Sequence, residues 1–163
     1  GNEVYITENI KELLEDKKIS TLNNSRYLLV ELPMNNKIVD VEDILFNLIR
    51  INIIPIIAHP ERYSYVQDNI KYLDGLKDLG VLFQGNYESL FGKYGTNAKK
   101  TLKKLIKLNY ISFLGSDMHR LGYKYDEEIV AKKILRITRY KDLVEDLISN
   151  NILKVINNKN IEE

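Results

Sequence analysis

An α/β fold with parallel strands and right-handed crossovers is what this sequence predicts, on three observations. Short apolar runs alternate strictly with segments of helical spacing. Each apolar run ends on a polar residue. Those polar residues recur at about the length of one strand–helix unit, roughly 30 residues.

The elements follow in chain order. Residues 3–6 are short and β-rich. Residues 9–17 set Ile10, Leu13 and Leu14 on one helical face. Residues 20–25 make a polar turn. Residues 26–32 read as a buried strand ending on a lone acid, Glu31, and Pro33 with the following Asn pair stops it. Residues 41–51 are amphipathic, with Ile44, Leu45, Leu48 and Ile49 together. Residues 53–58 form a continuous apolar run of the kind buried on both faces of a parallel sheet, and it ends at His59. A helix over 69–79 closes on Gly80. Residues 81–84 are a strand running into Gly85-Asn86, and 89–95 a glycine-bearing loop. Residues 97–109 form a helix with Leu102, Leu105, Ile106 and Leu108 inward. The strand over 110–114 ends in Gly115-Ser-Asp-Met-His119. Helices over 127–138 and 141–155 close the chain, and 157–163 are polar and fray.

Composition narrows the chemistry. The 163 residues, 44% hydrophobic and 29% charged, fit one domain of ordinary soluble type, with no linker and no second composition regime. A net charge of +1 gives no global field for nucleic acid or anionic membrane. Lys99-Lys100 and Lys103-Lys104 read as a solvated helix face. No apolar run approaches the roughly 20 residues of a membrane span. The absence of cysteine excludes disulfides, thiolate metal sites and a cysteine nucleophile, and fits a cytoplasmic setting. Only two histidines, His59 and His119, are available for imidazole chemistry.

The spacing then gathers the polar residues. Glu3 to Glu31 is 28 residues (31 − 3), Glu31 to His59 is 28 again (59 − 31), and His59 to Asp117 is 58 (117 − 59), about two units. Gln84 and Asn86 fill the unit between. Parallel strands would bring all of them to one carboxyl edge, where α/β folds build their sites. Two Glu, one Asp and two His form a hard donor set suited to Mn, Fe, Mg or Zn, and converging carboxylates need a cation to offset their repulsion. Arg62 lies on the same loop as His59, and its guanidinium could grip a phosphate. Ordinary roles stand beside these: Glu31 paired with Arg26 or Lys37, His59-Pro60 as a capped turn, Asp117 as a helix N-cap, His119 on the surface.

The stretches His59-Pro-Glu-Arg-Tyr63 and Ser116-Asp-Met-His119 resemble the bacterial tyrosine-protein phosphatases of the CpsB/CapC/YwqE type, within the polymerase and histidinol phosphatase (PHP) superfamily. Gly1-Asn-Glu-Val4, Leu22-Asn-Asn-Ser-Arg-Tyr-Leu-Leu-Val-Glu31, Pro55-Ile-Ile-Ala-His-Pro60 and Ser89-Leu-Phe-Gly-Lys-Tyr-Gly95 resemble it too, and the likeness runs to about Arg120 before loosening. The resemblance implies a distorted (β/α)7 barrel, here about five units of it with C-terminal helices. It implies a Mn2+ centre of two or three ions, with Fe, Zn or Mg as alternatives. Glu3, Glu31, His59, Asp117 and His119 resemble its metal ligands, Glu3 the bridging one. Arg62 resembles the phosphate-binding residue, and His119 is the candidate acid for the leaving tyrosinate. The family has a second Arg after the Asp-x-His pair, usually before prolines. Here Lys124 stands near that place, with Arg120 close by, and the prolines are absent, so that contact would be a point charge of different geometry.

The implied reaction is hydrolysis of phosphotyrosine on the tail of a bacterial tyrosine kinase that controls capsule or exopolysaccharide synthesis. Water attacks phosphorus in line and no phosphoenzyme forms. Two other readings keep the fold: a PHP phosphoesterase for a small phosphorylated metabolite, and a non-catalytic PHP module. The family opens with a His-x-His strand and a further His-bearing loop that this sequence does not contain. The expectation is therefore an N-terminally truncated domain over 1–163, weakly active alone, whose open sheet edge favours homo-oligomerisation.

Overall fold

The structure is a computed structural model and describes residues 2–117 and 126–161. Five parallel strands, β1 (Val4–Tyr5), β2 (Tyr27–Glu31), β3 (Ile54–Ala58), β4 (Leu82–Asn86) and β5 (Phe113–Gly115), form one sheet in the order β1-β2-β3-β4-β5. Between them run α1 (Ile10–Glu15), α2 (Val41–Arg50), α3 (Ser64–Asp68), α4 (Asp74–Asp78), α5 (Tyr87–Phe91) and α6 (Gly95–Lys107). After β5 come α7 (Glu127–Thr138), α8 (Lys141–Glu145), a wider π-type turn over Asp146–Asn150, and α9 (Asn151–Ile156).

The alternation predicted from sequence is the alternation found. The differences are local. The helix expected over 69–79 is a 3-10 turn, Ile70–Leu73, followed by α4. The glycine-bearing loop over 89–95 is partly helical, since α5 begins directly at the end of β4. The last helix is broken by the π-type turn.

Four crossovers end their helices in the same way. Lys17, Asn52, Gly80 and Asn109 take positive φ just past α1, α2, α4 and α6. The next residue's N–H then reaches five residues back: Lys18 to Leu13 O at 2.9 Å, Ile53 to Leu48 O at 3.0 Å, Val81 to Leu76 O at 3.1 Å and Tyr110 to Leu105 O at 3.0 Å. This is the Schellman closure, which satisfies the last helical carbonyls and aims the chain back along the sheet. Asn does at two of these turns what Gly does at one, because its short polar side chain tolerates the left-handed region.

The two faces of the sheet carry different cargo. Val4, Leu28, Val30, Ile57 and Phe83 pack outward against Ile10, Leu45, Leu48, Leu76, Leu102 and Leu105 of the helices. Gly85 lies on this close approach: a Cβ there would meet Leu102 Cδ1 at 2.5 Å. The inner face is split by height. Its lower half, Tyr27, Ile56 and Phe113 with Leu29, Ile54 and Leu82, is covered by Val155 and Ile152 of α9. Asn151 donates to Ser112 O at 2.9 Å, and the Tyr27 hydroxyl donates to Lys159 O at 2.6 Å, tying the chain end beneath the sheet. The upper half, at the strand carboxyl ends, is left for polar residues.

Candidate metal centre

Strand alternation and register place the donors. Tyr5 pairs with Glu31, so Glu3, two residues before Tyr5 and just ahead of β1, falls on Glu31's face. Glu31 is the last residue of β2. His59 lies one residue beyond β3, and simple alternation would turn it away from that face. Its backbone is left-handed instead (φ 35°, ψ 53°), held by its N–H to Gln84 O at 2.7 Å and by the turn Pro60–Arg62. His59 Nε2 consequently stands 3.1 Å from Glu3 Oε1 and 3.7 Å from Glu31 Oε1. One ligand atom from each of the three residues lies within 4.8 Å of the others. The imidazole is 2% exposed. Glu31's ionic neighbour is therefore His59; Arg26 bonds Asn160, and Lys37 lies over the Tyr72 ring.

Tyr63 fixes the two strand ends that carry these donors. Its buried hydroxyl donates to Ala58 O at 2.7 Å and accepts from Leu32 N–H at 3.0 Å. Those are the residues just before His59 and just after Glu31. Its ring meets the His59 ring edge-on at 5.7 Å. Burial pushes the Tyr63 phenol well above the ordinary tyrosine range, so it stays protonated.

Asp117, the fourth predicted ligand, stands in a neighbouring group. Its Oδ2 accepts from Arg62 Nη1 at 2.9 Å and from Asn86 Nδ2 at 3.1 Å. Arg62 stacks its guanidinium over the Tyr94 ring at 4.4 Å, so an ion pair holds one edge and an aromatic ring one face. His119, Lys124 and Arg120 lie outside the described residues.

Two features of this region were not assigned from sequence. Glu61 is fully buried, and its Oε1 accepts from Asn86 N–H at 2.9 Å and Ser89 Oγ at 2.7 Å. Burial pushes its carboxyl above the usual range, with those two hydrogen bonds opposing. Glu61 thus ties the His59 turn to the end of β4. Tyr94 is the second. Its hydroxyl donates to Glu88 Oε2 at 3.2 Å while its ring supports Arg62. Asn86 did carry a signal, since it falls in phase between His59 and Asp117. Glu61 carried only its place in the His59 motif, and nothing in a sequence distinguishes a buried acid there from a solvated one.

The donor set fits a divalent cation. Two carboxylates and one imidazole converge at one edge of the sheet with their ligand atoms within 4.8 Å of one another, and like-charged carboxylates there favour a positive partner. Arg62 adds an anion-binding group on the same loop.

Known proteins are similar to this chain in sequence and fold. The family model described as capsular polysaccharide synthesis, CpsB/CapC, matches residues 1–157. The tyrosine-protein phosphatase CpsB of Streptococcus pneumoniae is 34% identical over 145 residues, covering 82% of this chain and 59% of that protein. CapC of Staphylococcus aureus, named as a tyrosine-protein phosphatase, is 34% identical over 149 residues, 91% of this chain and 57% of that protein. The chain thus spans somewhat under three fifths of these two relatives' length. A crystal structure from work on YwqE of Bacillus subtilis and CpsB of Streptococcus pneumoniae, described as unique metal-dependent tyrosine phosphatases, superimposes with a TM-score of 0.89 at 25% identity, over 98% of this chain and 64% of that one.

Proposed function

This chain belongs to the CpsB/CapC family of capsular polysaccharide synthesis, and on that premise we propose that it carries metal-holding and phosphate-binding residues of a metal-dependent protein-tyrosine phosphatase. The observation that carries the reading is the convergence of Glu3, Glu31 and His59 beside Arg62. In this reading Glu3, Glu31 and His59 hold the cation, with Asp117 and His119 joining them. Mn2+ is the ion of this reading, as the family resemblance implies; the mixed imidazole and carboxylate donors suit Mn or Zn. Bound there, a divalent cation supplies Lewis acidity toward a phosphoryl oxygen and lowers the pKa of a coordinated water.

The chain's own groups do the rest. Arg62 has one N–H committed to Asp117, and its planar fork retains donors for a phosphoryl oxygen. Its position is set before substrate arrives, which is how a charge-stabilising group avoids reorganisation cost. Tyr63 holds the strand ends of Glu31 and His59 at fixed separation. His119 is assigned to protonate the leaving tyrosinate, whose pKa near 10 asks for modest help. The substrate is a phosphotyrosine-bearing segment of a bacterial tyrosine kinase, and the setting is the cytoplasm. Among the described residues no helix is long and apolar enough to cross a membrane. One PHP-like domain holds all of these residues.

Mn2+ binding by the chain, followed by isothermal titration, tests the first part. It should be lost in Glu31→Gln and His59→Ala. Phosphate release from a phosphotyrosine peptide should require Mn2+ and stop with a chelator. Faster release from a hexose or nucleoside phosphate under the same conditions would transfer the site to the small-metabolite reading.

A further inference from the structure

A seam between α6 and α7 brings four cations together. Lys99 and Lys103 lie one turn apart on α6 and are half-buried, whereas Lys100 and Lys104 are exposed. Lys133 of α7 is half-buried beside them, and Arg136 follows one turn on. Burial, with Lys99, Lys103 and Arg136 next in effect, pulls the Lys133 ammonium below the ordinary lysine range. Among the described residues, no carboxylate forms an ion pair with any of the four. The nearby Lys132 takes Glu128 instead. Like charges gathered at a helix seam repel one another, and an anionic partner seated there would offset the repulsion.

The seam also holds an aromatic group and leads toward Arg62. Lys133 Nζ sits 4.5 Å over the ring of Phe91, which is 45% exposed. From Phe91 the chain runs through Gly92 to Lys93 and Tyr94. Lys93 lies 5.6 Å over the Tyr94 ring, and Arg62 lies 4.4 Å over the same ring. Lys93 is paired with Glu88, so the surplus positive charge lies at the seam itself, with Phe91 and Tyr94 between it and Arg62. Free phosphate would need only the cations. A polypeptide bearing acidic side chains and an apolar residue matches both the charges and the exposed ring.

We propose that the α6–α7 seam, with Phe91 at its centre, is a docking surface for an acidic polypeptide segment lying next to the residue processed at Arg62. Its assignment to a substrate segment rests on the phosphatase reading above; the docking itself does not. This face gives the chain a preference for acidic sequence that the metal centre alone would not confer.

The test uses two fluorescein-labelled peptides without phosphotyrosine, one Glu-rich around a single Leu and the other with each Glu replaced by Gln, read by fluorescence anisotropy. The acidic peptide should bind about tenfold tighter, a preference that falls with added salt. The triple variant Lys99→Ala, Lys103→Ala, Lys133→Ala should lose that preference, and Lys11→Ala with Lys141→Ala should keep it. Circular dichroism checks the fold, and the single variant Lys133→Glu serves if the triple variant does not fold. Equal binding of the two peptides, an unchanged preference in the seam variants, or tighter binding to phosphatidylserine vesicles than to the acidic peptide would overturn the proposal. Mn2+-dependent phosphate release from a phosphotyrosine peptide is measured in parallel. Its failure with the acidic preference intact removes the activity reading and leaves the seam; the converse removes the seam alone.

Discussion

Arg62 is held on one edge by Asp117 and on one face by Tyr94. Removing it leaves Glu3, Glu31 and His59 untouched, so Arg62→Ala should lower kcat/KM on phosphotyrosine peptide on the order of 100-fold, the usual effect of losing one oriented charge-stabilising donor. Mn2+ content, measured by atomic absorption, should stay unchanged. An equal fall in metal content would mean that Arg62 acts by steadying Asp117 rather than by touching phosphate. Tyr63→Phe tests the other side of the site. It leaves the Leu32 N–H and the Ala58 carbonyl without their buried partner, which costs about 1–3 kcal/mol in a urea melt. Mn2+ affinity should fall with it, because the strand ends carrying Glu31 and His59 lose their tie. At this scale the sequence was readable where chemistry repeats with the period of the fold. Glu3, Glu31 and His59 show that period and meet. The left-handed turn that swings His59 onto their face has no such mark, since Pro60 restricts the preceding residue without dictating φ > 0. The burial of Glu61 depends on Asn86 and Ser89 arriving from β4 and α5.

At the scale of the element, the four Schellman closures explain how helices of unequal length all return into strands of one sheet. Asn109 takes φ 55° between α6 and β5. Asn109→Ala should cost about 1 kcal/mol, since an L side chain without local polar contacts resists the left-handed region, and Asn109→Gly should be neutral or stabilising. Chemical denaturation of the two variants checks the sign of the difference. The strands were legible because continuous apolar runs of that length have few other homes, and their carboxyl ends were legible from the polar residue that follows. The helical nature of 87–91 was not, because Asn86 both ends β4 and accepts the Glu88 N–H as the cap of α5, with no loop between. The 3-10 turn at Ile70–Leu73 was equally hidden, since its apolar spacing resembles that of a continuous helix.

For the whole molecule, the tyrosines set a limit at high pH. Burial holds Tyr63, Tyr65, Tyr72 and Tyr94 above the ordinary phenol value, and Tyr110 is raised first by its hydrogen bond to Asp74. A group whose pKa is higher in the folded state stabilises that state fully below its unfolded value and loses the contribution as pH rises beyond it. Stability should therefore hold up to about pH 10 and fall above it. With eleven tyrosines and no tryptophan, tyrosinate absorbance reads this directly. The raised phenols should ionise only above the free value, together with loss of the circular dichroism signal. A single transition near the free value with the fold intact would contradict the buried network.

The placement of α9 beneath the sheet bears on the order of events during synthesis. Strands β2 to β5 each join their immediate predecessor, so the sheet can grow unit by unit as the chain emerges. Tyr27 and Val155, which share one cluster, are 128 residues apart (155 − 27). The apolar lower face of β2 therefore waits, uncovered, until a segment more than a hundred residues later has been made. A nascent chain stalled before residue 150 should recruit hydrophobic-binding chaperones, and extension through α9 should end that engagement.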